Sequence, residues 1–285
     1  MRVTVLGSTG MAGHVVAQYL EEQGYEVFRI SRSEQPGEHR AAIDVTDFAA
    51  LGACLDRVKP DGVINCIGLL QKACESRFDL GVLVNSYLPH WLEQKYRNTA
   101  VKIIHLSTDC VFSGAAGGYR ENSLPDGITP YDRTKALGEI DNSKDLTFRM
   151  SIIGPDIDPE GTGLFNWFMR QTGRINGFAK VFWNGITTIE LAKAIDAAFK
   201  SKLAGLYHLV PAQGIDKCSL LMLFQKSFGK EGTAIDRAEE PVMNKSLVNT
   251  RTDFDFTVHD YPTQVEEMKL WVEQHKALYP HYAER

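Results

Sequence analysis

Short apolar runs alternate with stretches of helical apolar spacing along the first 210 residues of the chain. Apolar runs at residues 3–6, 26–30, 42–45, 63–68, 102–106 and 146–150 predict six strands. Between them, apolar residues recur at helical spacing over 11–20, 48–58 and 78–96, which predicts helices. Alternating strands and helices are typical of a parallel sheet covered on both faces. The sequence therefore predicts an α/β fold of the Rossmann type, with a doubly wound parallel sheet.

This alternation becomes irregular after Gly154-Pro155, which predicts a second, smaller lobe. An acidic loop at 156–163 leads to a short aromatic helix at 164–169. Thr187 and Glu190 have capping-box spacing before a helix that ends near residue 200. A strand at 205–210 and helices at 220–228 and 263–278 are expected after it. We therefore predict a Rossmann domain over 1–155, with 174–210 returning to it, and a smaller C-terminal lobe made of 156–173 and 211–285.

The composition is that of an ordinary globular protein. Of the 285 residues 44% are apolar and 24% charged, and a net charge of −5 without a basic cluster argues against a nucleic-acid surface. No apolar run approaches the roughly 20 residues that span a bilayer, and the first residues predict a strand rather than a signal peptide. The five cysteines lack metal-binding spacing. We expect reduced thiols, no metal site, no membrane partner and a cytoplasmic location.

The first predicted strand runs into a glycine-rich turn, Gly7-Ser-Thr-Gly-Met-Ala-Gly13, which precedes the first helix. Glycines let a ligand approach the backbone and a helix N-terminus presents free N–H groups, so this order predicts a phosphate site. The spacing differs from the general dinucleotide fingerprint G-x-G-x-x-G, and a glycine triplet is often only a tight turn. The flanking strand and helix favour nucleotide binding. The residues assigned to it are Gly7, Ser8, Thr9, Gly10, Met11, Ala12 and Gly13.

The end of the second predicted strand bears on the choice of nucleotide. NAD-binding folds usually carry Asp or Glu there to hold the ribose 2′-hydroxyl, but no acid precedes Glu34 in this stretch. Arg32, with Ser31 or Ser33, suits a 2′-phosphate instead, because a guanidinium binds phosphate bidentately. The alternative is a solvated loop arginine. We predict a preference for NADP, with Asp44 at the sheet edge that would face the adenine.

Tyr131 and Lys135 stand four residues apart after Pro130, on one face of a predicted helix. A phenol with a pKa of about 10 exchanges protons poorly at neutral pH, and a neighbouring ammonium favours its phenolate. The pair could pass a proton to or from a carbonyl or alcohol oxygen. Most such pairs are only solvated helix faces. Ser107 and Thr108 end the fifth predicted strand, either beside Tyr131 at the carboxyl edge of the sheet or as local turn caps.

Four stretches of the chain carry the motifs of one enzyme family. Residues 7–13 match its glycine motif, and 107–114 are similar to its Ser-Thr-Asp-Tyr-Val-Phe-x-Gly segment, with Cys110 for Tyr. Residues 130–139 match its Tyr-Gly-x-[Ser/Thr]-Lys-x-x-Gly-Glu helix, with Asp132 for Gly, and 185–192 correspond to its Gly-x-Pro-Thr turn. The sequence thus resembles an extended short-chain dehydrogenase/reductase of the dTDP-4-dehydrorhamnose reductase group, strongly to about residue 210 and weakly after it.

This resemblance implies a catalytic trio of Thr108, Tyr131 and Lys135, with NADPH as cofactor and NADH as the alternative. It implies a nucleotide-linked 4-keto sugar as substrate, used for a surface polysaccharide, and a homodimer as a possible assembly. Besides the residues already named, it assigns cofactor contacts to Val45, Cys66, Ile67, Gly68, Asn85, Ser107 and Ile152. It assigns substrate contacts to Asp109, Val111, Phe112, Trp167 and Trp183, although the two tryptophans could equally be core aromatics.

Two other functions fit the same motifs. One is a nucleotide-sugar epimerase of the same superfamily, which keeps its cofactor bound. A dehydratase is disfavoured because such enzymes have an acid pair directly after the Ser/Thr position, whereas Cys110 follows Asp109 here. The other is a non-catalytic regulatory subunit like the beta subunit of methionine adenosyltransferase, which keeps the fold and the nucleotide site. The intact set of Thr108, Tyr131 and Lys135 argues against that role.

Overall fold

The large sheet organises the chain. The computed structural model describes residues 1–283, and its strands are β1 (Arg2–Leu6), β2 (Glu26–Ser31), β3 (Arg40–Ala42), β4 (Gly62–Asn65), β5 (Lys102–Thr108), β6 (Leu146–Met150), β7 (Ile152–Ile153), β8 (Gly173–Phe178), β9 (Val181–Trp183), β10 (Ile186–Thr187), β11 (Gly205–His208), β12 (Ile215–Asp216), β13 (Thr233–Ala238) and β14 (Met243–Asn244). Within the described residues, seven parallel strands form one sheet in the order β11-β6-β5-β4-β1-β2-β3.

Helices cover both faces of this sheet. The α-helices are α1 (Met11–Glu22), α2 (Phe48–Val58), α3 (Gln71–Ser76), α4 (Phe78–Gly81), α5 (Leu88–Tyr96), α6 (Pro130–Leu137), α7 (Leu164–Met169), α8 (Thr188–Phe199), α9 (Lys217–Ser227), α10 (Tyr261–Gln274) and α11 (Pro280–Ala283). A π-helical segment spans Val82–Tyr87, and 3₁₀ turns span Asp109–Val111 and Lys276–Leu278. Among the helices in residues 1–283, none is both long and apolar enough to cross a membrane.

The core residues of the sheet alternate between two apolar clusters, as a doubly wound fold requires. Val3 and Val5 of β1 pack with α1 and α8 on one face, whereas Leu6 packs with α2 and α5 on the other. The next strands repeat the pattern, with Ile64 in the first cluster and Val63 in the second. Burying one such side chain contributes roughly 1.5–3 kcal/mol. The predicted α/β fold with a doubly wound sheet is confirmed.

Three predicted elements in the first half are displaced for local reasons. The third strand lies at Arg40–Ala42 rather than 42–45, because Asp44 starts a turn in which its Oδ1 accepts from the Thr46 N–H at 2.9 Å. The fourth ends at Asn65 rather than Gly68, because Asn65 Oδ1 accepts from the Ile67 N–H at 3.2 Å and turns the chain. The predicted helix over 78–96 contains the π-helical segment ahead of Pro89, which has no N–H to donate.

The remaining strands form smaller sheets. β8 pairs with β13, and β9 pairs with β12 and β14. Within 174–210, the strand Gly173–Phe178 pairs with Thr233–Ala238 and not with the large sheet. The chain rejoins the large sheet at β11, which pairs with β6, after α8 has packed on α1. The predicted division into a Rossmann domain and a smaller lobe stays a prediction.

Side-chain caps set the starts of the later helices. Asp216 Oδ1 accepts from the Ser219 N–H at 2.9 Å, so α9 begins at Lys217 rather than 220. Asp260 likewise caps α10, which begins at Tyr261 rather than 263. Thr187 caps α8 as predicted, but the capping box is incomplete, because the Glu190 carboxylate accepts from the His259 N–H at 2.8 Å. Helices α9 and α10 therefore begin earlier in the chain than periodicity indicated.

Candidate active site

The glycine-rich turn forms a close cradle at the carboxyl end of β1. Gly7 has a φ of +79°, where a side chain is strained, and a Cβ on Gly13 would lie 2.1 Å from the Gly7 carbonyl oxygen. The Gly7 N–H donates to Ile30 O at 2.8 Å, which holds the turn against β2. Helix α1 begins at Met11 without a side-chain cap, so its first N–H groups are available to an anion. The turn has the geometry of the predicted phosphate site.

Side chains at the end of β2 close over this turn. Thr9 Oγ1 lies 3.0 Å from the hydroxyls of both Ser31 and Ser33. The pKa of the Asp44 carboxyl is lowered, mainly because the carboxylate accepts a hydrogen bond from the Thr46 N–H. The exposed Arg32 lies near enough to contribute to this lowering. The structure therefore brings the predicted Arg32 and Asp44 together.

A buried acid at this place was missed by sequence reasoning. Glu34 is 8% exposed, and its Oε2 accepts from Ser8 Oγ at 2.6 Å. Ser8 was assigned to the cofactor, but its hydroxyl is already bound to this carboxylate. Glu34 lies three residues beyond Ser31, the last residue of β2. No acid precedes it, as the sequence indicated, but the sequence did not reveal that Glu34 itself is buried against the glycine turn.

Helix α6 presents Tyr131 and Lys135 toward the carboxyl end of β5. Pro130 occupies the first turn, Thr129 Oγ1 accepts from the Asp132 N–H at 3.1 Å, and Asp132 Oδ2 accepts from the Thr129 N–H at 3.1 Å. Asp132, which stands where the resembling family has Gly, therefore completes a capping box. This reciprocal cap fixes the start of the helix one residue before Tyr131.

Thr108 and Tyr131 come together as predicted. Thr108 lies close enough to Tyr131 to counter part of the effect of burial on the pKa of its phenol. Thr108 Oγ1 accepts from the Cys110 N–H at 3.1 Å and donates to Asp109 Oδ1 at 3.2 Å. Burial raises the pKa of the Tyr131 phenol above its usual value of 10. This differs from the expectation that Lys135 would favour the phenolate, because the loss of water around the ring outweighs the distant ammonium. At neutral pH Tyr131 is a phenol that can donate its proton.

Lys135 is 3% exposed, and its Nζ donates to the Leu106 carbonyl at 2.7 Å. Burial lowers its pKa to about 8. His105 Nε2 lies 3.5 Å from the same Nζ. Asn65 Oδ1 is occupied by the Ile67 N–H, so the Asn65 amide group donates to His105 Nδ1 at 3.1 Å. A neutral His105 then carries its proton on Nε2 and offers Lys135 no acceptor. Sequence reasoning missed this contact of His105 with Lys135.

Two residues predicted to contact the cofactor, Asn85 and Ser107, are buried and hydrogen-bonded to other parts of the protein. Asn85 is fully buried, and its amide group spans Leu69 O at 3.0 Å and Thr134 Oγ1 at 3.1 Å while its Oδ1 accepts from the Leu69 N–H. Ser107 Oγ donates to Glu139 at 2.6 Å, which is ion-paired with Arg149. The side chains of Asn85 and Ser107 are therefore occupied by partners within the protein, and their assignment to the cofactor stays a prediction.

Of the other residues predicted to contact the cofactor, some lie beside the glycine turn and one lies in the core. Cys66 and Ile67 line the glycine turn, since a Cβ on Gly7 would lie 3.0 Å from Ile67 Cγ1 and 3.4 Å from Cys66 O. The neighbouring Gly68 lies against Asn85, and Ile152 is half-buried in β7 opposite Ile186. Val45 is a core residue instead.

The predicted substrate contacts separate in the same way. Val111 and Phe112 are fully buried, with Phe112 stacked on Tyr119 at 4.1 Å between ring centroids, so their side chains cannot contact a substrate as predicted. Asp109 is 6% exposed beside Thr108. Trp167 is half-buried against the core. Trp183 is 4% exposed and lies 5.7 Å from the ring of Tyr261, which supports the core-aromatic alternative.

An acidic cluster lies apart from these residues. Ligand atoms of Glu190, His259 and Glu267 all fall within 4.8 Å of one another. Lys193 Nζ already binds Glu267 at 2.6 Å, which neutralises part of the acidic charge. The expected absence of a metal site stays a prediction.

A family comparison identifies the fold and the motifs together. The model of the RmlD substrate binding domain matches residues 1–154, more than half of the chain. The chain belongs to the RmlD family. The match includes the glycine turn, the end of β5 and the whole of α6, and it ends at residue 154, before α7.

Two relatives of this RmlD-family chain are named as reductases. It is 35% identical over 145 residues to the probable low-salt glycan biosynthesis reductase Agl14 of Haloferax volcanii, covering 49% of this chain and 48% of that protein. It is 32% identical over 140 residues to dTDP-4-dehydrorhamnose reductase of Streptomyces griseus, covering 48% and 43%. The chain thus spans about half the length of the curated relatives it matches.

A solved structure has the same fold over 95% of the chain. The dTDP-4-dehydrorhamnose reductase of Bacillus anthracis, solved in complex with NADP, has a TM-score of 0.78 to this RmlD-family protein. The two share 17% identity, with coverage of 95% of this chain and 99% of that one. Similarity at this identity extends the fold assignment beyond residue 154.

Proposed function

We propose that this RmlD-family protein is an NADPH-dependent reductase of a 4-keto group on a nucleotide-linked deoxysugar. The observation that carries the proposal is that Thr108, at the carboxyl end of β5, lies close to Tyr131 of α6. The buried Lys135 is on the same helix as Tyr131, and the glycine turn is at the same edge of the sheet. A proton donor therefore lies at the edge where open α/β sheets bind their ligands.

The glycine turn fits a dinucleotide. A Cβ on Gly13 would fill the space beside the Gly7 carbonyl, and the uncapped start of α1 offers N–H groups to a pyrophosphate. Arg32 is the charged group placed for a 2′-phosphate, which supports NADPH over NADH. When bound, the cofactor supplies the hydride.

Residues of the chain supply the proton that the carbonyl oxygen needs during reduction. Charge that develops on the carbonyl oxygen during reduction has to be met by a hydrogen bond or a proton. Tyr131, held as a phenol by burial, donates that proton. The Thr108 hydroxyl would hydrogen-bond the same oxygen by rotating its O–H away from Asp109 Oδ1, to which it donates in this structure. One of the three N–H groups of the Lys135 ammonium donates to Leu106 O, and another can donate to a ribose hydroxyl.

The named relatives support the biological setting that we propose. One acts in glycan biosynthesis and the other on a dTDP-linked keto sugar, going by their names. We therefore infer a role in the biosynthesis of a surface polysaccharide and a cytoplasmic location. A homodimer stays a prediction. An epimerase and a non-catalytic NADP-binding subunit are the competing functions that the experiment has to separate.

The test is NADPH oxidation by the purified protein with dTDP-, UDP-, GDP- and CDP-linked 4-keto sugars. We expect turnover with at least one of them, and Tyr131→Phe should reduce the rate roughly 10²–10⁴-fold while NADPH binding and folding persist. Tyr87→Phe removes an exposed tyrosine hydroxyl as the matched control.

One result would rule out the proton donor, and two others would contradict the reductase function itself. A Tyr131→Phe variant that turns over at the wild-type rate rules out the proposed proton donor. Formation of a sugar epimer without net NADPH consumption indicates the epimerase. NADPH binding without turnover of any sugar offered indicates the regulatory subunit.

A further inference from the structure

The C-terminal part of the chain lies along α1, the helix that begins at the glycine-rich turn. His275, which follows α10, is hydrogen-bonded to Glu22 at the end of α1, with 2.7 Å between Nε2 and Oε1. Tyr279 reaches His14 near the start of the same helix, where Tyr279 Oη and His14 Nε2 lie 2.8 Å apart. The C-terminal part therefore contacts both ends of α1, although it lies outside the residues that the family model matches.

The hydrogen bonds of Tyr279 have a fixed direction. The Trp271 Nε1–H can only donate, and it donates to the Tyr279 hydroxyl oxygen at 3.0 Å. At the other end the Gly10 carbonyl can only accept, and its oxygen lies 2.9 Å from His14 Nδ1. Burial lowers the pKa of His14 to about 4, so at neutral pH the ring carries one proton, on Nδ1. Tyr279 therefore donates its own hydroxyl proton to His14 Nε2.

Both side chains in the middle of this chain of hydrogen bonds are shielded from water. Tyr279 is 1% exposed and His14 is 3% exposed. Their rings meet edge to face, with 5.7 Å between the centroids. When one partner of a buried hydrogen bond is removed, no water replaces it, and the remaining polar group is left unpaired. The orientation of the His14 ring therefore depends on the Tyr279 hydroxyl.

The His14 ring in turn fixes one peptide of the glycine-rich turn. Gly10 O accepts from the His14 backbone N–H at 3.0 Å and from His14 Nδ1 at 2.9 Å. The Gly10 N–H donates to Gly7 O at 2.9 Å, so Gly10 is held on both sides. In a planar trans peptide the C=O of Gly10 and the N–H of Met11 point in opposite directions. Holding the Gly10 carbonyl therefore aims the Met11 N–H, the first of α1, out of the helix N-terminus.

We propose that Tyr279, acting through His14, is a positioning residue for the dinucleotide, because it fixes the peptide whose N–H at Met11 is offered to the pyrophosphate. This proposal rests on the proposed function, since the dinucleotide is the cofactor of that enzyme. Helix α1 has no side-chain cap, which leaves this N–H for a ligand. Cofactor binding therefore depends on a residue 265 positions beyond His14 as well as on the glycine motif.

The test compares two tyrosine hydroxyls of the same segment. Tyr279→Phe removes the hydroxyl that binds His14. Tyr282→Phe is the matched control, because Tyr282 is also buried and its hydroxyl accepts from the Asp156 N–H at 3.0 Å, in a different loop. In fluorescence titrations of the full-length protein with NADPH, we expect about fivefold weaker binding for Tyr279→Phe, the effect of one net hydrogen bond, and unchanged binding for Tyr282→Phe. Unchanged affinity in Tyr279→Phe would overturn the proposal, as would equal weakening in both variants.

A double-mutant cycle shows whether Tyr279 acts through His14. His14→Asn keeps a side-chain N–H near the place of Nδ1 and loses the acceptor for Tyr279. In the His14→Asn protein, Tyr279→Phe should therefore weaken NADPH binding no further. The same loss in both backgrounds would mean that the hydroxyl supports only the general fold, which would overturn the proposal.

A second pair of variants covers the case in which Tyr279→Phe does not fold. His14→Leu has no donor for the Gly10 carbonyl, whereas His14→Asn keeps one. We expect His14→Asn to bind NADPH more tightly than His14→Leu. Equal affinities would show that the hydrogen bond to Gly10 does not position the turn, and the proposal would fail.

Hydrogen exchange without any ligand separates this proposal from the proposed function. The N–H groups of Gly7 and Gly10 are hydrogen-bonded to Ile30 O and Gly7 O, so their exchange reports opening of the turn. We expect about fivefold faster exchange in Tyr279→Phe and no change in Tyr282→Phe. A wild type that binds neither NADPH nor NADH would contradict the proposed function, while faster exchange would still support the hold of Tyr279 on the turn. Unchanged exchange in Tyr279→Phe would overturn the proposal.

Discussion

The charged side chain of Lys135 is expected to lower the free energy of unfolding of the protein. Its Nζ is buried beside His105, which offers it a donor, and has the Leu106 carbonyl as an acceptor at 2.7 Å. Lys135→Met replaces the ammonium by an apolar group of similar length. We therefore predict that Lys135→Met makes the protein more stable at neutral pH while it impairs turnover and cofactor binding.

The magnitude follows from the pKa of Lys135. A fall from 10.5 to about 8 corresponds to about 3 kcal/mol of unfavourable free energy for the charged form in the folded protein. The substitution also removes the hydrogen bond to Leu106 O, and this loss lowers the free energy of unfolding by about 1 kcal/mol. The expected net gain in the free energy of unfolding is about 2 kcal/mol at pH 7.

The gain should depend on pH in a defined direction. Below pH 8 the amine is charged in both states, so the whole penalty is present in the wild type. Between pH 8 and 10.5 the unfolded chain binds the proton and the folded protein does not, so wild-type stability rises with pH relative to the variant. The advantage of Lys135→Met should therefore shrink between pH 7 and pH 10.

Equilibrium urea unfolding at pH 7 and pH 10, followed by tryptophan fluorescence, measures both effects. Lys226→Met, which removes an exposed lysine, should change stability little at either pH. A Lys135→Met variant that is less stable than the wild type at pH 7 would refute the reasoning. An advantage of equal size at pH 10 would also refute it, because the gain would then not come from the charge.

Two further predictions concern the cofactor and the core. Arg32→Ala should reduce the preference for NADPH over NADH about tenfold or more, because it removes a charged hydrogen bond to the 2′-phosphate; a fluorescence titration with both cofactors that shows unchanged discrimination would contradict this. Trp183→Ala should lower the free energy of unfolding by about 3–5 kcal/mol, because the ring is 4% exposed and packs on Tyr261. Wild-type stability in that variant, measured by urea unfolding, would show that the ring does not support the core.

Local patterns in the sequence determined much of this protein. The alternation of apolar runs predicted the doubly wound sheet, because a strand buried on both faces has to be apolar along its length. The order of strand, glycines and helix predicted the turn at Gly7, where the positive φ now gives the reason for the residue. Helical spacing placed Tyr131 and Lys135 on one face. Each of these features depends on residues within about one element of each other.

Tertiary structure alone decided which of these side chains are free to act. Asn85 and Ser107 are occupied by Thr134 and Glu139, partners 49 and 32 residues away that periodicity cannot reveal. Burial, rather than Lys135, sets the state of the Tyr131 phenol. Sequence patterns determine local elements because their spacing is local, whereas desolvation and charge pairing depend on which distant residues the fold brings together.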